Sequence, residues 1–261
     1  MELKVNTVAE MQSSGQSPEI LFWVGCSGSF DDRAKKITRA IVRILNHVKI
    51  NFAILGPEES CTGDPAKRAG NEFLYQMQAM QNITIMNGYN IKKIVTGCPH
   101  CFNAIKNEYP NLGGNYEVIH HTQLVQQLID EGKLKVEGGE FKGKKIVYHD
   151  PCYLGRANEV YEAPREIIKS LDVDLQEMKR SRAKGLCCGA GGAQMFKEAE
   201  NGNKEVNIER SEEALKNNPD IIAVACPFCN TMMTDGVKHF NKENQTKVLD
   251  VAEIVAQAHN F

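Results

Sequence analysis

The sequence predicts an α/β fold made of two pseudo-repeated modules. Each is a small parallel sheet flanked by helices, with cysteine loops at the C-terminal ends of its strands. Three observations predict it. First, the cysteines repeat: Cys26, Cys61, Cys98 and Cys101 recur as Cys152, Cys188, Cys226 and Cys229, at offsets of 126, 127, 128 and 128 residues. Second, strand-sized apolar runs alternate with helix-like segments, in the same order in both halves. Third, the cysteines fall just after the strands, where open α/β sheets bind their ligands.

Residues 1–18 read as an N-terminal extension. The first module spans 19–135 and the second 141–261. ILFWVGC (20–26) and KIVYHDPC (145–152) are continuous apolar runs, as expected of strands buried on both faces. Helical segments follow at Asp31–His47 and Asn158–Leu171, then second strands at 49–55 and 173–178. The cysteine loops SCTGD and CCGAGG lead into long helices, Pro65–Met86 and Gly202–Asn217. Asp64–Pro65 reads as a helix N-cap followed by proline in the first turn. Third strands end at GCPHC (97–101) and ACPFC (225–229), and a short strand and helix close each half. The Gly- and Lys-rich stretch 131–145 is the natural seam between the modules.

Composition narrows the function. The 261 residues carry a formal net charge of −2, and no basic, aromatic-interleaved face points to nucleic acid. No apolar run approaches the ~18 residues of a membrane span, and the N-terminus lacks the features of a signal peptide. A cytoplasmic protein is expected, reaching the inner membrane only peripherally, through a partner. Nine cysteines, an odd number, in a reducing compartment point to metal or redox chemistry rather than disulfides.

The second module offers five thiols: Cys152, Cys187, Cys188, Cys226 and Cys229. A tetrahedral zinc needs four ligands, so five favour an iron–sulfur cluster, expected as [4Fe-4S]. Gly189, Gly191 and Gly192 then make sense as cofactor-binding positions. They remove side chains, permit positive φ and let N–H groups face an anionic cluster. GAGG lacks the full dinucleotide fingerprint and its preceding strand. The first module offers Cys26, Cys61, Cys98 and Cys101, with Ser60 in the place of a paired cysteine. Four thiols suit a [4Fe-4S] cluster or a structural zinc. The competing reading, nine small buried hydrophobes, does not explain a repeated spacing.

The spacing Cys, Cys-Cys-Gly, Cys-x-x-Cys resembles the cysteine-rich CCG domain. It is carried by DPC (150–152), CCGAGG (187–192) and CPFC (226–229), and by GCSGSFDDR (25–33), SCTGDPAKRAGNEF (60–73) and GCPHC (97–101). Both units look like the cysteine-rich subunit of heterodisulfide reductase and the iron–sulfur oxidoreductases of the glycolate oxidase and lactate utilisation type. The resemblance implies a non-cubane [4Fe-4S] cluster in the second module. Ser60 puts a matching first cluster, and two-cluster disulfide cleavage, in question. It also implies an oxidoreductase subunit passing electrons between a ferredoxin-like or dehydrogenase partner and a disulfide- or quinone-type acceptor. The alternatives are a non-catalytic electron-transfer or membrane-docking subunit and a structural zinc protein. No ferredoxin-type cysteine run is present, so a separate ferredoxin-like iron–sulfur subunit, itself membrane-attached in one version, is expected as electron partner.

Cys187 and Cys188 are the expected reactive pair. His149 is a candidate to protonate a sulfur leaving group, to hydrogen-bond a cluster sulfide, or to position the strand end. His100 lies inside the first Cys-x-x-Cys, and His120 and His121 cap the next helix or line the site. Arg33, Arg68 and Arg156 balance cluster charge, bind an acidic substrate, or form surface salt bridges.

Overall fold

Eight short strands form two four-stranded sheets in the computed structural model, which describes residues 3–198 and 201–259. In the first sheet β1 (Ile20–Trp23), β2 (Phe52–Ala53), β3 (Lys93–Thr96) and β4 (Glu117–His120) lie in the order β2-β1-β3-β4. In the second, β5 (Lys145–Tyr148), β6 (Asp174–Gln176), β7 (Ile221–Val224) and β8 (Lys247–Asp250) lie in the order β6-β5-β7-β8. Every pairing is parallel, with Leu21 opposite Ile94 in one sheet and Ile146 opposite Ile221 in the other. The expected two-module α/β architecture is therefore present. In both sheets the order reverses beside the first strand, so the crevice outside the strands' carboxyl ends receives the loops after β1 and β3, or β5 and β7.

The N-terminal segment differs from a free extension. The helix α1 (Val8–Ser13) starts with a capping box between Thr7 and Glu10. Residues 6–8 pair with Ile54 beyond β2, and Val8 and Met11 are buried. The segment thus belongs to the first module's core.

Helices also depart from the sequence reading where polar breakers intervene. Asp31–His47 contracts to α3 (Ala34–His47), and an unpredicted short helix, α2 (Gly25–Phe30), precedes it. Pro65–Met86 becomes α4 (Asp64–Arg68) and α5 (Glu72–Gly88), split at Gly70, with Asn71 capping the second piece through Leu74 N–H. α6 (Pro99–Asn103) continues as a π-helical turn to Glu108, and α7 (His121–Asp130) closes the half. Asn158–Leu171 contracts to α8 (Glu162–Lys169), and Gly202–Asn217 to α9 (Val206–Leu215). α10 (Pro227–His239) and α11 (Val251–Ala258) follow.

The modules share one core. The apolar face of α3 (Ile37, Ala40, Ile41, Ile44, Leu45) packs on α11, which is buried on nearly every side, while α7 packs on α8. Arg33 clamps this junction with a bidentate bond to Glu253 at 2.7 and 2.8 Å. Among the described residues no helix is long and apolar enough to cross a membrane.

Candidate metal centres

Both Cys-x-x-Cys pairs sit on helix N-termini. Cys98 caps α6 and Cys226 caps α10, each followed by proline in the first turn. The turn points Cys98 and Cys101, and Cys226 and Cys229, into the crevice. All four are buried. Cys26 lies in the first turn of α2, and Cys152 follows β5 by a short loop; both are half-buried.

The Cys-Cys-Gly loop corrects the sequence alignment. Gly63 has φ +84° and Gly189 φ +90°, so these glycines occupy the same left-handed turn. The Gly189 N–H donates to Cys187 Sγ at 3.3 Å, and the Gly63 N–H acts on Cys61 in the same way. Cys61 therefore matches Cys187, and Thr62 matches Cys188. Thr62 is 2% exposed and Cys188 3%. Thr62 Oγ1 lies 3.9 Å from Cys101 Sγ, where Cys188 meets Cys229. The residue standing in for the missing thiol is Thr62, not Ser60. Ser60 instead donates to Asn82 Oδ1 at 2.9 Å, and Asn82 Nδ2 binds the Cys61 carbonyl at 3.0 Å.

Seven thiols form a series from Cys152 to Cys101, and Cys26 and Cys61 form a separate pair. Cys152 Sγ and Cys187 Sγ are 3.9 Å apart. Contacts then run Cys187–Cys188, Cys188–Cys229 and Cys229–Cys226. Cys226 meets Cys98 across the two modules, Cys98 meets Cys101, and Cys26 meets Cys61. Neighbouring thiols lower Cys187 in the second set and two thiols in the first, the half-buried Cys61 and the fully buried Cys98, which Cys101 and Cys226 hold well below the ordinary value. The Cys26 thiol and the Gly63 N–H hold Cys61 down at about 7, and Cys187 is lowered further by Cys152, Cys188 and Gly189.

His149 Nδ1 accepts from Arg210 Nε at 3.0 Å, and burial with the neighbouring Arg210 charge lowers its pKa to about 3. The ring is therefore neutral with its proton on Nε2, a buried atom without a partner. A ring nitrogen of His149 and the sulfurs of Cys188 and Cys229 all lie within 4.8 Å of one another. A neutral N–H donor suits hydrogen-bonding to sulfur rather than proton delivery. Of the three glycines, Gly189 and Gly192 have positive φ, whereas Gly191 does not and would tolerate a Cβ.

Other sequence candidates have defined partners. His100 Nδ1 lies 2.9 Å from Asp64 Oδ2, so Asp64 partners a histidine instead of capping the helix, whose N-cap is Gly63. The His100 ring reaches the second module, 4.4 Å from Tyr153 and 5.3 Å from Phe228 between centroids. Burial opposes its charging, but Asp64 and Cys98 raise its pKa above the ordinary value. His120 caps α7 with its side chain. His121 Nε2 lies 3.0 Å from Asp250 Oδ1, joining the modules. Arg68 pairs with Asp64 and Glu108, and Arg156 binds the Gly185 carbonyl. With Arg33 on Glu253, all three arginines have structural partners.

Sequence reasoning missed two further groups. Gly25 (φ +78°) lets the backbone approach Cys101 Sγ, which lies 3.3 Å from where a Cβ would stand. The Glu59 carboxylate accepts from the Val24 and Gly25 N–H groups at 3.1 and 2.6 Å, and burial raises its pKa to about 7. No spacing signal marks either one; both depend on tertiary neighbours.

Comparison with known proteins agrees with this architecture. The cysteine-rich domain model, CCG, matches residues 20–106 and 146–234. "Probable iron-sulfur-binding oxidoreductase FadF" of Bacillus subtilis is 47% identical over 98% of the chain, and "EtfAB:quinone oxidoreductase" of Syntrophomonas wolfei 45% identical over 95%. A subunit of the dihydromethanophenazine:CoB--CoM heterodisulfide reductase of Methanosarcina barkeri is 35% identical over 92%. The chain spans 36%, 35% and 59% of these three proteins' lengths. With both of its modules matched and both thiol sets assembled, the chain belongs to the cysteine-rich CCG domain family.

Proposed function

We propose that this chain is the iron–sulfur portion of an oxidoreductase. It passes electrons from a ferredoxin-like or dehydrogenase partner to a disulfide- or quinone-type acceptor. The observation that carries this reading is the unbroken series of thiols from Cys152 and Cys187 through Cys226 and Cys98 to Cys101. Two separate structural zinc sites have no need to adjoin. Two redox centres do, because electron transfer falls off steeply with separation.

The donor set fits the group. Cys152, Cys187, Cys188, Cys226 and Cys229 would hold a [4Fe-4S] cluster of the non-cubane kind, and Cys26, Cys61, Cys98 and Cys101 a four-thiolate [4Fe-4S] cluster or zinc. When bound, such clusters supply one-electron transfer. The chain's own residues supply the setting. Gly63 and Gly189 N–H groups stabilise negative charge on the Cys61 and Cys187 sulfurs, and the buried His149 Nε2–H, without a partner in the protein, is available as a donor near Cys188 and Cys229. The names of the relatives, an iron–sulfur oxidoreductase, a quinone oxidoreductase and a heterodisulfide reductase component, support the same class.

EPR of protein purified without oxygen tests this. An iron–sulfur signal abolished by Cys187→Ser and by Cys188→Ser supports the reading. A spectrum that neither variant changes overturns the second-module assignment.

A further inference from the structure

A cleft of about 660 Å³ opens beside the half-buried thiols of the first module. Cys26 and Cys61 line it, and Val24, Phe30, Val42 and Ile54 form its apolar walls. Phe30 is 84% exposed at the rim, an unusual position for a large aromatic side chain. Arg39 is the sole lysine or arginine among the described residues of the lining, and the Glu59 carboxylate is engaged by the Val24 and Gly25 N–H groups.

This size falls within the ~300–1,000 Å³ of small-molecule sites, and apolar walls with few polar groups are their usual lining. An occupant would lie against two thiols of the proposed first centre. The walls discriminate between acceptors. A disulfide bearing carboxylates or phosphates needs several cations to offset its desolvation, and the cleft offers one. A flat, uncharged ring needs apolar surface, which the cleft supplies.

We propose that this cleft binds an uncharged quinone-type acceptor. The acceptor then sits at the first module, beside the four-thiol set, and not at the five-thiol set of the second. The proposal rests on the electron-transfer reading above and selects between its two acceptor classes.

Photoaffinity labelling tests it on the full chain purified without oxygen, with a short-chain azido-ubiquinone as probe and iron and sulfide assayed on the same sample. The expected result is label confined to residues 3–5, 22–42 and 54–61, which carry the lining. Excess menadione lowers it about tenfold, and oxidised glutathione leaves it unchanged. Ser29→Trp and Val5→Trp, placed at exposed positions near or on the lining, lower labelling about tenfold while the circular dichroism is unchanged. Phe73→Ala, exposed on α5, leaves it unaltered. Label elsewhere, protection by oxidised glutathione instead of menadione, or full labelling in both tryptophan variants overturns the proposal. Iron and sulfide present without label removes the cleft assignment and leaves the electron-transfer reading standing. Absence of iron removes that reading and this inference with it.

Discussion

Thr62 Oγ1 lies 3.9 Å from Cys101 Sγ, and the matching contact in the second module is between Cys188 and Cys229. One atom type at one position thus distinguishes a four-thiol set from a five-thiol set. A hydroxyl is a weaker ligand for iron than a thiolate, so the two centres differ by design at residue 62.

Thr62→Cys should therefore complete the first set. In a Cys188→Ser background, which removes the second-module signal, adding Thr62→Cys should restore an EPR signal of the same type. Adding Ser60→Cys should not, because residue 60 is tied to Asn82 outside the equivalent position. Restoration by Ser60→Cys and not by Thr62→Cys would show that the loop alignment is wrong.

The register of this loop was available in the sequence. Aligning Cys61 with Cys187 gives the 126-residue offset already seen between Cys26 and Cys152, and it pairs Gly63 with Gly189. Cysteine identity pulled Cys61 onto Cys188 instead, and only the shared left-handed glycine decides the matter. β1, β3, β5 and β7 were legible because they are short apolar runs that lead into cysteines. The break at Gly70–Asn71 and the Thr7–Glu10 capping box were also written in local residues. His149's tautomer, the Glu59 carboxylate and the cleft at Cys26 were not, since Arg210, Val24 and α3 reach them only through the tertiary fold.

Arg165 is fully buried and binds both oxygens of Asp150, at 2.8 and 3.0 Å, next to the Pro151–Cys152 loop. Arg165→Met should cost about 3–5 kcal/mol, because Asp150 is left charged and buried with only the Arg182 N–H as an evident partner. Urea unfolding of the metal-free protein measures it. A loss below about 1 kcal/mol would mean that Asp150 relaxes to solvent.

His120 is buried, and desolvation with the nearby His121 lowers its pKa well below the ordinary value. The unfolded chain takes up a proton near pH 6.5 that the folded chain refuses. Stability from this group is therefore complete above pH 6.5 and falls below it, by about 1.4 kcal/mol per pH unit. Urea midpoints at pH 7, 6 and 5 should show a shallower acid decline for His120→Gln than for the parent. Parallel declines would show that His120 titrates normally in the fold.

The measurement that bears most directly on the two-centre account is the iron, sulfide and zinc content of the chain purified without oxygen. Iron with sulfide in near-equal amounts, lost in part in Cys187→Ser, is the predicted result. Stoichiometric zinc with little iron would contradict it and leave two adjoining thiolate sites with no redox role.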